Sequence, residues 1–438
     1  MKRLFVTPLV ILGFAAILFT AAQPPSPAPP AGPIDTGDVA WMLTATSLVL
    51  LMTPGLAFFY GGMVSSKNVI STMLQCFVAL GVVSVLWVVA GFSLAFGDSV
   101  GGVVGNPMTF FMFDGVNGAT HERLSPTIPL LLFALFQLKF AIITPALITG
   151  AFAERVRFVS YLVFMCLFSL LVYAPLAHWT WHPDGFLRQW GVLDFAGGTV
   201  VHMSAGLAAL VGAAVFGRRQ SHVAREPHHP AQIPYVLLGT GLLWFGWFGF
   251  NAGSALAASE TAVRAFATTN TASAAAMMAW LFVESLRGVK PSATGACIGA
   301  VVGLVAITPA AGYVTIPASI VIGALAAAAS NAAVHWRSRS TLDDTLDVFP
   351  CHGVGGMVGM LLTAVFAVDG GLITGEVRLF LIHAGTLVLV TAYVVIASYA
   401  AFRLTDLLSP LRVDDDQEEV GLDLSQHGEQ LVLPRITA

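Results

Sequence analysis

Charge is what this sequence has least of. Only 10% of its 438 residues are Asp, Glu, Lys or Arg, against 56% hydrophobic, and the mean hydropathy is +0.81; a soluble globular domain is excluded. An excess of basic side chains is missing as well. The chain carries 20 Lys and Arg against 24 Asp and Glu, a formal net charge of −4, so it offers no basic surface for nucleic acid. Cysteine is scarce: Cys76, Cys166, Cys297 and Cys351 all sit in apolar stretches without a CxxC pair, which supports neither a disulfide framework nor a zinc site. Nor is there a nucleophile–base pair or a cofactor loop, so neither enzymatic activity nor a cofactor is expected.

What the chain has instead is glycine, 43 of them, and long apolar runs. Small residues let helices approach closely in lipid. Residues 1–22 read as a cleaved signal peptide, with Lys2 and Arg3, an apolar run from Leu4 to Phe19, and the ending Thr20-Ala21-Ala22; a proline-rich periplasmic segment follows over 23–37. Eleven apolar segments come next, with cores at 39–60, 69–96, 128–152, 159–177, 197–216, 233–251, 262–286, 292–307, 313–334, 352–368 and 379–402. Lipid cannot hydrogen-bond a bare backbone, so the segments are expected to be α-helices. One alternate set of connecting loops holds Lys67, Arg155, Arg157, Arg218, Arg219, Arg225, Arg287, Lys290, Arg337, Arg339, Arg403 and Arg412, whereas the other holds Arg123, Arg188, Arg264 and Arg378. This bias places the mature N-terminus outside and the C-terminal tail, 406–438, in the cytoplasm, beyond a membrane domain at 38–405.

Ten of the helices divide into two sets of five, and an odd number inverts the second set. Inverted repeats place a substrate path at the pseudo-two-fold axis near the bilayer midplane. Two ionisable residues fall near that axis: His202 in the fifth helix and His352 at the start of the tenth. Two histidines without a carboxylate or cysteine companion make a poor metal site; burial favours neutral rings, and a neutral pair can pass a proton. Asp194, just before Gly197-Gly198, reads either as the N-cap of the fifth helix or as a negative charge drawing a cation to the outer mouth. Trp181, Phe140 and Phe250 read as packing or as an aromatic cage, in which each ring would attract a small cation by about 1 kcal/mol. Ser254 adds a hydroxyl.

These residues stand in ordered motifs: Pro54 to Gly62, Phe140 to Ile148, Ala153-Glu154-Arg155, Leu193 to His202, Trp247 to Ser254, Thr308 to Gly312, and Asp347-Val348-Phe349 with His352-Gly353-Val354. In them the chain resembles the ammonium transporters of the Amt/Mep/Rh superfamily, in the bacterial branch, from about Asp38 to Glu429. The resemblance implies a homotrimer of all-α subunits, each with eleven transmembrane helices and its own narrow apolar pore in the cytoplasmic (inner) membrane. It implies an outer ammonium site at Trp181, Phe140 and Ser254 with Gln137 beside it, Phe140 and Phe250 as a stacked gate, Asp194 below, and His202 with His352 lining the pore. Trp247 and Thr308 fall on motif positions near the path. Ammonium, methylammonium and membrane lipid are the implied partners, with a P-II regulatory protein at the cytoplasmic face; the acidic run Asp414 to Glu419 reads equally as a merely solvated stretch. An ammonium sensor and an Rh-like gas channel are the alternatives.

Three departures from the family pattern stand out, one of them Gln430-Leu431 in the tail, where Ala-Tyr is usual. Lys139 occupies a helix interior next to Phe140, where it is expected to snorkel or face a subunit interface. The loop after Trp181 reads His182-Pro183-Asp184-Gly185 where a glycine run is common.

Overall fold

The protein, described over residues 32–431 in a computed structural model, is a bundle of helices in which each of the eleven apolar segments falls on a helix. These are α1 (Thr36–Met63), α2 (Val69–Phe96), α3 (Leu130–Ala151), α4 (Phe158–Trp190, broken at 182–185), α5 (Gly198–Phe216), α6 (Ile233–Gly253), α7 (Glu260–Leu286), α8 (Ala293–Ile307), α9 (Ile316–Ser338), α10 (Phe349–Phe366) and α11 (Arg378–Leu408). The signal-peptide segment, 1–22, and most of the proline-rich segment lie outside the described residues.

Nine of these helices are long and apolar enough to cross a membrane. The two others differ from expectation for separate reasons. At about 1.5 Å per residue, the 15 residues of α8 reach about 22 Å, short of a hydrocarbon core of about 30 Å. The 27 residues of α7 are long enough, but Thr268, Thr269, Asn270, Thr271 and Ser273 dilute their hydropathy. Both pack through small residues: Gly303 of α8 and Gly323 of α9 lie where a Cβ would meet the backbone of Ala272.

The two halves of the chain mirror one another most clearly at α5 and α10. Each opens on a wide π-type turn, Gly198–Met203 and Phe349–Val354, and each turn carries the histidine, His202 or His352. Such turns cluster at functional sites. An aspartate eight residues earlier caps each helix. Asp194 accepts from the amides of Gly197 (2.8 Å), Gly198 (2.6 Å) and Thr199 (2.8 Å), and from the Thr199 hydroxyl (2.5 Å). Asp344 accepts from the amides of Val348 (3.0 Å) and Phe349 (2.7 Å). Four residues after each histidine a glycine lets the partner helix in: Gly206 faces the His352–Gly353 backbone, and Gly356 faces His202. A counterpart crossing joins α1 to α6, where a Cβ at Gly239 would strike the Phe59 amide and the Gly55 carbonyl.

One end of the bundle gathers the loops rich in basic residues, and we call it the inner face. Arg219 bonds both Glu154 (2.7 Å) and Asp343 (2.9 Å) there, and Arg337 bonds Asp347 (2.6 Å). The tail closes over this face. Lys67 donates to the carbonyls of Glu418 and Glu419 at the end of a short helix, α12 (Asp415–Val420), while Asp423 accepts from the Ile70 and Ser71 amides at the start of α2. Arg412 donates to Glu418 (2.6 Å), and the Arg157 amide donates to Leu411. At the opposite, outer face, two short hairpins, β1–β2 (Ser99–Val100 with Val104–Gly105) and β3–β4 (Thr120–His121 with Ser125–Pro129), fill the connection from α2 to α3.

Candidate functional site

A chain of cavities runs between the two faces, past both histidines. It starts in an outer vestibule of about 220 Å³ whose wall includes Gln137, Phe140, Trp181, Asp194 and Ser254. The Phe140 and Trp181 rings meet edge to face at 5.8 Å, and the Trp181 Nε1–H is anchored on the Asp194 carbonyl at 3.1 Å. The Gln137 side-chain oxygen is buried with no hydrogen-bond donor among the described residues, an acceptor left open to whatever enters. Ser254 donates its hydroxyl proton to the Phe250 carbonyl at 2.8 Å, which leaves its oxygen lone pairs free to accept. The Asp194 carboxylate is occupied by the cap of α5. Of its two sequence readings, the cap is the one the hydrogen bonds describe, and its position in the vestibule wall leaves the second standing.

Below the vestibule the passage is shut by two rings. Phe140 and Phe250 stack with centroids 4.1 Å apart and planes 30° apart. Phe140 borders the vestibule and Phe250 borders the next cavity. There, only about 10 Å³ is open to the centre of a water-sized molecule, close to the least that holds one. Its wall is apolar, built of residues such as Leu56, Phe59, Ile143 and Val301, except where His202 and His352 enter. A second small cavity, lined by Tyr60, Val348, Cys351 and again His352, leads on towards an inner vestibule of about 710 Å³.

The two imidazoles lie nearly parallel, at 26° and with centroids 5.4 Å apart, and their Nδ1 atoms are 3.3 Å from one another. Hydrogen-bond chemistry fixes their tautomers. Thr308 Oγ1 stands 2.8 Å from the Leu304 carbonyl, which can only accept, so the hydroxyl proton points there. Thr308 Oγ1 then accepts from Trp247 Nε1–H at 2.9 Å and from His202 Nε2–H at 3.3 Å. With its proton on Nε2, neutral His202 offers a lone pair at Nδ1, and His352 must donate from its own Nδ1. That leaves a lone pair on His352 Nε2, with no partner among the described residues, on the ring that borders both small cavities. Trp247 stacks on His202 at 5.4 Å and 19° and holds the ring in place.

The resemblance set out from sequence can now be tested directly. The model of the Ammonium Transporter Family matches residues 40–432. This chain belongs to that family. A putative ammonium transporter of Methanothermobacter thermautotrophicus is 46% identical over 406 residues, covering 90% of this chain and 98% of the relative. An ammonium transporter of Bacillus subtilis is 44% identical over 411 residues, at 90% and 98%. Among solved structures, the crystal structure of Saccharomyces cerevisiae Mep2 superposes with a TM-score of 0.84 at 34% identity, covering 92% of this chain and 93% of that one. The protein is thus a multi-pass membrane transporter for ammonium and not an enzyme.

Nine of the ten sequence-chosen residues line this route, Gln137, Phe140, Trp181, Asp194 and Ser254 at the vestibule and Phe250, His202, His352 and Trp247 beneath it; Thr308 is buried behind it, bonded to Trp247 and His202. Sequence reasoning missed several wall residues. Phe195 and Tyr313, edge to face at 5.4 Å, complete the aromatic lining; their signal was adjacency, since Phe195 lies inside the Leu193–His202 motif and Tyr313 directly follows Thr308–Gly312. Arg123 and Arg188, also in the wall, lie outside every motif. Lys139 stays off the route: it shares the outward stripe of Leu131 and Leu135 on α3, half-buried, with no ion-pair or hydrogen-bond partner among the described residues. Among those residues, no three His, Cys, Asp or Glu side chains converge in a way that could hold a metal.

Proposed function

We propose that the outer vestibule captures ammonium as the cation and that only neutral ammonia passes the Phe140–Phe250 stack and the histidine pair. The observation that carries this reading is the pair itself, two imidazoles in Nδ1–Nδ1 contact at 3.3 Å within an otherwise apolar wall. Moving an ammonium-sized ion from water into a medium of low dielectric costs on the order of 20 kcal/mol as an idealised Born term, and still several in a real protein. Ammonia escapes that penalty. Above the stack, the faces of Trp181 and Phe140, the open oxygen of Gln137 and the lone pairs of Ser254 suit a small cation; below it, His352 Nε2 suits an N–H donor. The cation gives its proton to vestibule water before the stack, and the histidines orient ammonia or carry that proton onward. Potassium, which has no proton to give up, is refused.

In the same reading residues 1–22 are a cleaved signal peptide, eleven helices of the 38–405 domain span the inner membrane, with the short α8 shielded by its neighbours, and three copies form a homotrimer. The tail, 406–438, lies in the cytoplasm, where a P-II protein docks on the inner face. Co-purification with a P-II protein under ADP or ATP tests the last point. The central test is current recording and methylammonium uptake in liposomes. His202→Ala is expected to lose discrimination against potassium, and unchanged selectivity would overturn the scheme.

A further inference from the structure

The departure at His182-Pro183-Asp184-Gly185 acquires a role in three dimensions. Asp184 and Arg123, one in the break of α4 and the other in the β3–β4 connection, form a two-pronged pair at 2.6 and 2.7 Å. The Arg123 and Asp184 side chains are 51% and 43% exposed, and pairs so open to water add little to folding. Their position matters more. The vestibule wall contains Arg123 and Arg188 but, of acidic residues, only Asp194, whose carboxylate is held by the cap of α5. Arg188 has no acidic partner among the described residues, and Glu122, beside Arg123, is not in the wall. Asp184, like Glu122, lies outside the wall itself, but its carboxylate is bound to the Arg123 guanidinium in the wall, so removing either member of the pair shifts the charge at the mouth of a cation site by one unit.

We propose that the Arg123–Asp184 pair sets the charge of the outer mouth and thereby the ammonium concentration at which capture half-saturates. This rests on the reading that the vestibule takes the charged form. A single uncompensated charge near the capture site, in largely aqueous surroundings, shifts local cation concentration about two- to tenfold at low ionic strength and much less once salt shortens the Debye length.

The test uses the full chain in liposomes of neutral lipid, with ammonium-jump currents at about 10 mM and about 300 mM of an impermeant salt, where the Debye length falls several-fold. Asp184→Asn, which keeps the loop's shape, is expected to raise the half-saturating concentration about two- to tenfold, with maximal current unchanged. Arg123→Gln is expected to lower it, the double variant to return near the parent value, and high salt to erase all three shifts. A purely structural strap predicts the opposite pattern: both single variants change in the same direction, mainly in maximal current and without salt dependence. Either that pattern or no shift in either variant overturns the proposal. Failure of the underlying capture reading looks different, because Trp181→Ala would then leave the half-saturating concentration of the otherwise intact protein unaltered.

Discussion

Replacing Asp194 separates two jobs that one carboxylate could do, and the structure supplies the magnitudes. Asp194 is 5% exposed and accepts four hydrogen bonds, three of them from amides at the start of α5. Asp194→Ala strands those four donors. A buried unsatisfied group costs about 1–3 kcal/mol; even with partial relaxation the total is about 3–6 kcal/mol, a large part of a typical folding stability. Asp194→Asn keeps one oxygen for Gly197 and Gly198 but turns an amide towards Thr199. The Thr199 hydroxyl can rotate to accept, its amide cannot, and the helix dipole loses its negative partner, for a cost of about 2–4 kcal/mol. Thr199→Val removes only the hydroxyl bond, about 1 kcal/mol, and leaves the charge in place. The assay is the unfolding midpoint of each purified variant beside its ammonium current in liposomes. If the cap is what matters, stability and current fall in the order Thr199→Val, Asp194→Asn, Asp194→Ala. An Asp194→Asn protein with an unchanged midpoint and a raised half-saturating concentration would refute this, since the carboxylate would then be acting as a free charge at the mouth.

Two further outcomes are expected. Gly206→Ala drives a methyl group into the His352–Gly353 backbone, which cannot yield as a side chain would; a destabilisation of about 1–3 kcal/mol and loss of current should follow, while Gly81→Ala, which meets nothing within 4 Å, should be neutral or slightly stabilising in an unfolding assay. Acidification should weaken the inner face. Burial pushes the Glu154 and Asp343 carboxyls up, but the Arg219 guanidinium more than offsets it and holds both below the usual range, with help from the Ser65 amide at Glu154 and the Arg155 charge at Asp343. Their stabilisation is therefore full above the unfolded value of about 4 and lost as pH falls through the lower folded values. Asp344 has the opposite sign: burial and the neighbouring Asp347 push it up to about 6, so its contribution is full below its unfolded value and is lost as pH rises through about 6. Unfolding midpoints between pH 3 and 7 check both signs, and Asp344→Asn should remove the second component; a midpoint flat down to pH 3 would contradict the first.

The helices were legible because apolar runs in lipid have few alternatives to a helix, and hydropathy alone marked most of their places to within a few residues, although α4 and α11 run on well past the expected ends. It could not mark how they open. Nothing in Gly198–Met203 or Phe349–Val354 announces a π-type turn. The histidines were found from residue type and half-to-half correspondence, but their tautomers depended on Thr308 and Leu304, about a hundred residues from His202 in sequence. The vestibule was readable where motifs ran through it and unreadable at Arg123 and Arg188, whose meaning comes from a loop partner rather than from local pattern. α8 shows the limit of counting residues: a helix covered by its neighbours is as apolar as one that faces lipid but need not be as long.

The hold of the tail on the inner face also carries a consequence for biosynthesis. Asp423 supplies acceptors for the first amides of α2, and Lys67, before α2, closes the end of α12. The ribosome makes α2 early and residues 411–427 only after α11. The beginning of α2 therefore waits, without these partners, through the insertion of every later helix, and the inner face is finished by the last part of the chain to emerge. A nascent chain released too soon would carry its helices and its histidine pair yet expose raw amides beside α2, a local defect by which a membrane quality-control protease could tell an incomplete copy from a complete one.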